Sequence, residues 1–275
     1  MSFYGTSMIF DGIACEEMGL VLYDFTNNKQ TETSFASDLS VAEDRIGGRY
    51  RSLFYGGTIN SPLTFTMVLC ASEDRAHRGE SFDRWDLQKI ASWLTGHDSY
   101  KWLSIVQPDL ADVRFRCICS ELQTVEVSGY KWGFSCKVTC DSPFGYLLPR
   151  NYSFTVETDD ASEEIIFSES THNGLYYPEI EITNIESQEC SIEIRNGIET
   201  SVFRFKNLPT SISTIRIDCE NGVIASPEVA NPYQYVDFDA TPFHFPMLAR
   251  GNNEVVLTGR ASYVFRCEWP VNVGG

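Results

Sequence analysis

Two pairs of cysteines are the residues of this 275-residue sequence that come nearest to a metal-binding or redox motif. They are Cys117 with Cys119, and Cys136 with Cys140. Both pairs lie in stretches where apolar and polar residues alternate, so the two members of a pair point to one face of a β-strand. Structural zinc sites favour tight Cys-x2–4-Cys turns in loops, where the backbone wraps the ion. The spacing therefore favours buried thiols without a metal over a zinc centre.

The cysteine count and the first residues of the chain agree with that interpretation. Nine cysteines are an odd number, and their spacing follows strands rather than a disulfide framework. The first seventeen residues lack the basic start and the apolar core of a signal peptide. We therefore expect reduced cysteines in a protein that folds in a cytoplasm.

Other groups capable of catalysis form no recognisable motif. Neighbouring carboxylates at 159–160 and 163–164 lie in a polar stretch that reads as a solvated linker. No nucleophile elbow, phosphate-binding loop or dinucleotide-binding turn occurs. The histidines are scattered in predicted loops without metal-binding spacing: His77, His97, His172 and His244. The sequence predicts a protein that is not an enzyme and needs no cofactor.

The charge balance narrows the range of partners. The net charge is −17, and residues 150–275, with 8 basic and 19 acidic side chains, contribute −11 of it. Such a surface repels phosphate backbones and anionic lipids, so we expect neither nucleic acid nor a membrane as a bound partner. No apolar run approaches the roughly 20 residues that span a bilayer.

Exposed aromatic residues leave sugar binding open as an alternative. Tyr233 and Tyr235 lie in a short aromatic stretch of the second half. Tyrosines on the surface of a β-sandwich stack on pyranose rings. The simpler explanation, which we favour, is that alternate aromatics fill the core and the others flank turns.

The second half of the chain is composed almost entirely of predicted strands. Apolar residues recur with a period of two, and Asn-Gly and other turn signals separate the runs. The alternating sets include Ile180/Ile182, Ile192/Ile194, Phe203/Phe205, Ile215/Ile217/Cys219, Val255/Leu257 and Tyr263/Phe265/Cys267. Many short strands without helices predict an antiparallel sandwich or jelly-roll.

The first half is also mostly β but contains one predicted helix. Ser81 is a suitable N-cap and Gly96 a suitable stop, and the residues between them form a broad apolar stripe that includes Trp85 and Trp93. Residues 18–25 read as one apolar strand, and residues 122–127 as a strand separate from 113–119. Asp141-Ser142-Pro143 ends the last strand. We therefore expect two antiparallel β-sandwich domains, residues 1–148 and 149–275, and we expect the predicted helix to pack over one end of the first sandwich.

One segment of the first half contributes little to a core. Residues 26–60 are largely polar, and residues 45–51 combine three arginines with two glycines. A long arm of this kind is either a mobile surface loop or reaches beyond its own domain. The candidate contact residues are Arg45, Arg49, Tyr50 and Arg51.

Short motifs in a particular order carry a resemblance to a known family. In the first half they are Ile9–Ile13 with Met18–Leu20, the extended segment Arg45–Gly57 before Pro62–Phe65, the helix Phe82–Leu94, and Cys140–Pro143. In the second half they are Asn173-Gly174 before Tyr177–Ile182, and Gly251–Asn253 before Val255–Gly259. Their order across most of the chain resembles the distal tail proteins of long-tailed, non-contractile bacteriophages.

The resemblance implies a structural virion protein. In that family the first domain forms a hexameric ring that continues the tail tube, and a galectin-like second domain projects outward. The implied partners are further copies of the chain, the tail tube protein, the tip or hub protein, and the tape measure protein in the lumen. The implied location is the distal tail tip of the virion, after assembly in the host cytoplasm.

Overall fold

The computed structural model describes residues 7–23, 39–59, 62–158 and 160–273 of the chain. The chain divides into two compact units. The first comprises Met1–Leu147 with Asn272–Gly275, and the second comprises Leu148–Val271.

One antiparallel sheet forms the frame of the first unit. Its path runs in the order β2-β1-β7-β8-β9-β6-β3, and β10 joins it beside β8. Strands β4 and β5 form a separate hairpin. The ranges are β1 Ser7–Phe10, β2 Ile13–Ala14, β3 Leu20–Leu22, β4 Leu39–Asp44, β5 Leu53–Ile59, β6 Thr64–Ala71, β7 Lys101–Val106, β8 Val113–Val127, β9 Tyr130–Cys140 and β10 Gly145–Leu147. Two 3-10 turns, Cys15–Met18 and Pro108–Leu110, also belong to this unit.

Two helices accompany this sheet, α1 (Glu73–His77) and α2 (Arg84–Thr95). The sequence predicted only the second, and it placed the N-cap at Ser81. The N-cap is instead Asp83, whose side chain accepts a hydrogen bond from the Asp86 amide at 2.8 Å. Aspartate caps as well as serine does, and here Asp86 completes the capping box by accepting from the Asp83 amide.

The buried face of α2 is narrower than the predicted stripe. Ile90, Trp93 and Leu94 are buried, and the Trp93 indole donates a hydrogen bond to the Phe10 carbonyl at 3.1 Å. Trp85, which we placed in the same stripe, is 75% exposed. It lies nine residues before Leu94, which is about 180° around a helix, so it points away from the sheet.

Two strand predictions in the first unit were wrong in their limits. A 3-10 turn ends at Met18, and Gly19 at φ 67° leads from it into β3, so the strand begins at Leu20 and not at Met18. Residues 24–25 of the predicted strand lie outside the described residues. Strand β8 is one continuous strand of 15 residues rather than two. A shift of register between Ser120 and Gln123 interrupts the apolar alternation there, which explains the apparent break.

The second unit is a sandwich of two antiparallel sheets. One has the order β11-β19-β13-β16-β17 and the other β12-β18-β14-β15. The ranges are β11 Arg150–Val156, β12 Ser162–Ser168, β13 Glu179–Thr183, β14 Cys190–Arg195, β15 Thr200–Phe205, β16 Thr214–Asp218, β17 Val223–Ala225, β18 Gly251–Thr258, β19 Ala261–Cys267 and β20 Pro270–Val271. The predicted alternating residues of both sheets are buried. The chain is thus mostly β with antiparallel sheets, as predicted.

One part of the second unit differs from the prediction. Glu163 and Glu164 lie in strand β12, not in a linker. The side chain of Glu163 is exposed and that of Glu164 is half-buried. The sequence did not predict this strand, which continues into Ile165 and Ile166, because two charged residues in a row are typical of a loop. A strand at the edge of a sheet tolerates such charges on its outer face.

Candidate assembly surface

The hairpin of β4 and β5, hereafter the arm, carries exposed or half-buried side chains throughout residues 41–56. It lies within the predicted segment 26–60, of which residues 26–38 and 60 are outside the described part of the chain. Glu43 pairs with Phe54 and Asp44 with Leu53, and a register shift after Ala42 leaves Tyr55 as an extra residue. The two strands form a sheet of their own. An isolated two-stranded hairpin is at best marginally stable in water.

The tip of the arm carries the residues singled out in the sequence. The Arg49 amide donates to the Ile46 carbonyl at 3.1 Å, and the turn continues through Gly48 at φ 86°, which glycine adopts without strain. At the base of the tip, the Ser52 hydroxyl donates to the Glu43 carboxylate at 2.7 Å. The side chains of Arg45, Arg49, Tyr50 and Arg51 are all exposed. The tip of the arm thus holds three positive charges in a protein whose net charge is −17.

The strands of the arm add apolar side chains that sequence reasoning missed. Phe54 is 66% exposed and Tyr55 is 64% exposed, and Val41 and Leu53 are also exposed. Their exposure could have been predicted from the sequence, because aromatic residues in a polar and glycine-rich segment have no core nearby in which to be buried. Aromatic residues beside arginines are the composition of the energetic centre of a protein–protein interface.

The cysteine pairs lie together on the core face of β8 and β9. Cys117 is opposite Cys140 in the register, and Cys119 and Cys136 are buried beside them. Burial, helped by the charge of Asp141, raises the pKa of the Cys140 thiol to about 12. In the described part of the chain every cysteine is free, and no group of three or more histidine, cysteine or acidic side chains could hold a metal ion.

One ion pair of the first unit lies in a cleft beside α2. A shallow cleft beside α2 is lined by Glu17, Arg75, Asp86 and Lys89, and Arg75 and Asp86 form an ion pair within it. None of the helices in the described ranges is long and apolar enough to cross a membrane.

The two tyrosines proposed for sugar binding lie in a 3-10 turn, Pro232–Tyr235. The Tyr233 hydroxyl donates to the Gly222 carbonyl at 3.0 Å and accepts from the Ile224 amide at 3.0 Å. Tyr235 is half-buried, and its carbonyl accepts from the Lys206 amide at 2.8 Å. Tyr233 therefore closes a turn, and its hydroxyl is already used by the backbone.

Two protein families match the chain, one for each unit. Residues 3–142 match the phage tail protein N-terminal domain, and residues 144–267 match the phage tail C-terminal domain. No match was found among curated proteins.

Two solved structures share the fold over nearly the whole chain. The first is the crystal structure of the Dit protein of phage SPP1, described as a paradigm of the hub adsorption apparatus in phages that infect Gram-positive bacteria. Its TM-score is 0.65 at 9% sequence identity, over 96% of this chain and 98% of that chain. The second is a chain of the phage P2 baseplate in its activated conformation with Ca, with a TM-score of 0.53 at 11% identity, over 95% of this chain and 97% of that chain.

Proposed function

This chain belongs to the phage tail protein family, and from that premise we propose that it forms a hexameric ring at the distal end of a long, non-contractile tail. The ring joins the tail tube to the tip or hub of the baseplate. The fold shared with the SPP1 hub protein supports the proposal. The protein acts as a structural component of the virion and not as an enzyme.

The arm is the observation that carries the ring proposal. It exposes aromatic side chains and three arginines on a hairpin that its own unit does not cover. A contact between the arm of one copy and a different surface of the next is heterologous, and repeating it by rotation closes a ring. With a net charge of −17, every copy has an excess of acidic side chains that can receive the arginines of its neighbour.

The two units then have separate roles. We assign the ring contacts to residues 1–148 and an outward, galectin-like position to residues 149–275. The tail tube protein contacts one face of the ring and the tip protein the other, and the tape measure protein passes through the lumen. The ring assembles in the host cytoplasm before it is part of the virion.

Charge reversal on the full-length protein tests this proposal. We expect the wild-type protein to form rings visible by negative-stain electron microscopy and a single large species by native mass spectrometry. Replacing Arg45, Arg49 and Arg51 together by glutamate should yield folded monomers, because the tip then repels an acidic neighbour.

A matched control carries the same charge change on the second unit. The side chains of Arg216, Arg260 and Arg266 are exposed and pair with Glu181, Glu186 and Glu268, so solvent screens both the lost ion pairs and the new contacts between carboxylates. This variant should still form rings. A wild-type protein that stays monomeric at high concentration, or an arm variant that assembles as well as the control, contradicts the proposal.

Sugar binding by Tyr233 and Tyr235 remains the alternative function, and a glycan array separates the two. We expect no specific binding from the wild-type protein. Specific binding that is lost in Tyr235→Ala would put carbohydrate recognition in first place.

A further inference from the structure

Three Asn-Gly pairs occur in the second unit, at Asn173, Asn196 and Asn221, and their surroundings differ. In such a pair the glycine has no side chain to hinder its backbone nitrogen from approaching the asparagine amide. We propose that Asn173 is a site of spontaneous cyclisation and deamidation, promoted by Arg250 and His172, while the other two asparagines are protected.

Arg250 is placed to activate the Asn173 side chain. Its Nη1 donates to Asn173 Oδ1 at 3.3 Å. A cation on this oxygen draws electrons from the amide carbon and stabilises the negative charge that develops on the oxygen during attack. The pairing is anchored nearby, because Tyr176 and Leu248 exchange two backbone hydrogen bonds of 2.8 Å. The two loops are therefore held side by side.

His172 lies against Gly174, the residue whose backbone nitrogen attacks. A Cβ built on Gly174 would lie 2.2 Å from His172 Nε2, so the imidazole fills the space that a side chain at this position would need. The backbone of His172 is fixed in turn, since its amide donates to the Ser170 hydroxyl at 3.1 Å. An imidazole against the attacking residue is of the side-chain type that most often serves as a general base.

The reaction needs only water as a co-reactant. The Gly174 nitrogen loses its proton to the base and bonds to Asn173 Cγ. The Cγ–Nδ2 bond breaks, and the nitrogen leaves as ammonia after taking up a proton, which gives a five-membered succinimide. Water then opens the ring at Cγ or at the backbone carbonyl, to give aspartate or isoaspartate at position 173. No electrons are transferred.

The amide of Asn196 is held at both ends by backbone groups. Its Oδ1 accepts from the amides of Ile198 at 2.9 Å and Glu199 at 2.8 Å. Its Nδ2 donates to the Met247 carbonyl at 3.3 Å. These bonds on both ends of the amide hold Cγ in one position, and breaking them adds to the cost of cyclisation.

The amide of Asn221 faces a negative charge instead. Its Nδ2 donates to Asp218 Oδ2 at 2.7 Å, which opposes the build-up of further negative charge on the amide. The Gly222 carbonyl is also held by the Tyr233 hydroxyl. Asn221 is therefore also protected from cyclisation, by a nearby negative charge where Asn196 is protected by hydrogen bonds to the backbone.

Deamidation at Asn173 changes the charge of the second unit. It replaces a neutral amide by a carboxylate beside Arg250, in a half of the chain that already carries a net charge of −11. The isoaspartate product also inserts one backbone carbon into the loop before β13. Either product marks protein that has aged since synthesis.

Peptide mass spectrometry on the full-length protein tests the proposal. Samples incubated at mildly alkaline pH are digested, and the fraction of aspartate and isoaspartate is followed at all three positions. We expect Asn173 to react about tenfold faster than the other two, a modest share of what a general base or one stabilising donor contributes. Arg250→Gln and His172→Gln should each slow Asn173 while the rates at Asn196 and Asn221 stay the same.

Arg266→Gln is the matched control, because that arginine is equally exposed on the second unit and pairs with Glu268. It should alter none of the three rates. Equal rates at the three positions in the wild-type protein would overturn the proposal, whatever the variants do. It is also overturned when neither Arg250→Gln nor His172→Gln slows Asn173. Unchanged rates at Asn196 and Asn221 show that each variant is still folded.

Discussion

The arm and the hairpin of β14 and β15 are built alike and packed in opposite ways. Both are antiparallel hairpins with strands of six or seven residues. In the second hairpin Ile192, Ile194, Phe203 and Phe205 are at most 1% exposed, because they face the opposite sheet of the sandwich. In the arm the corresponding apolar side chains face solvent.

The strand edges differ in the same way. Strand β14 continues the sheet through β18, and the outer edge of β15 is covered by residues 235–244, with bridges at Val236 and Phe243. In the described chain, β4 and β5 pair only with each other. The two strands of each hairpin thus pair with each other in the same way, but only the β14–β15 hairpin is covered by other described parts of the chain. A hairpin without burial gains stability only when another molecule covers it.

The largest effect should come from one phenylalanine in the second strand of each hairpin. Phe203→Ala removes a fully buried ring that contacts Phe205, Phe243 and Phe245, and should cost about 3–5 kcal/mol of unfolding free energy. Phe54→Ala should change that free energy by less than about 0.5 kcal/mol and weaken ring assembly instead. Urea denaturation and native mass spectrometry measure the two effects. Equal losses of stability would show that the arm is packed in the monomer.

Two glycines at positive φ sharpen the comparison. Gly259 lies at φ 93°, and a Cβ there would be 2.3 Å from the Glu189 carbonyl oxygen, so Gly259→Ala should cost more than about 2 kcal/mol. Gly56 in the arm lies at φ 124° with no atom within 4 Å of an added Cβ. Gly56→Ala should cost about 1 kcal/mol locally. Thermal unfolding should detect the first and not the second, and the reverse order contradicts this view of the arm.

Alkaline pH should destabilise the core of the first unit through its thiols. The pKa of Cys140 is raised from 9.0 to about 12 by burial, so its contribution to stability is complete below about pH 9 and is lost as the pH rises through 12. The loss is about 1.4 kcal/mol per pH unit for one such thiol. Denaturation midpoints measured across this range should fall, and less steeply in Cys140→Ala. Identical slopes in the two proteins would exclude Cys140 as the source.

The smallest effect in free energy concerns local opening of the arm. Trypsin should cut first at Arg45, Arg49 or Arg51, since a hairpin without tertiary packing opens at a cost near zero. Assembled rings should be protected at these positions. The order of cleavage is read by mass spectrometry, and early cleavage within β14 or β15 would reverse the comparison.

The sequence by itself determined the fold class and the family. The alternation of apolar residues located the core strands of the second unit, because one face of each of these strands is buried in the core and excludes water. The order of short motifs along the chain indicated phage tail proteins, and the family matches agree. The polar and arginine-rich part of the arm was noticeable in the sequence, but its exposed apolar residues Val41, Leu53, Phe54 and Tyr55 were not.

Only the tertiary structure decided which surface each apolar residue meets. Trp85 and Trp93 belong to one helix and one apolar stripe, but only the side of α2 toward Phe10 is covered, so Trp93 is buried and Trp85 is not. Glu163 and Glu164 were predicted to lie in a linker because their charges are unusual within a strand. They lie in β12, which tolerates them because it is at the edge of its sheet and pairs only with β18 among the described strands. Burial and edge position depend on elements distant in the chain, and local residue patterns contain no information about those neighbours.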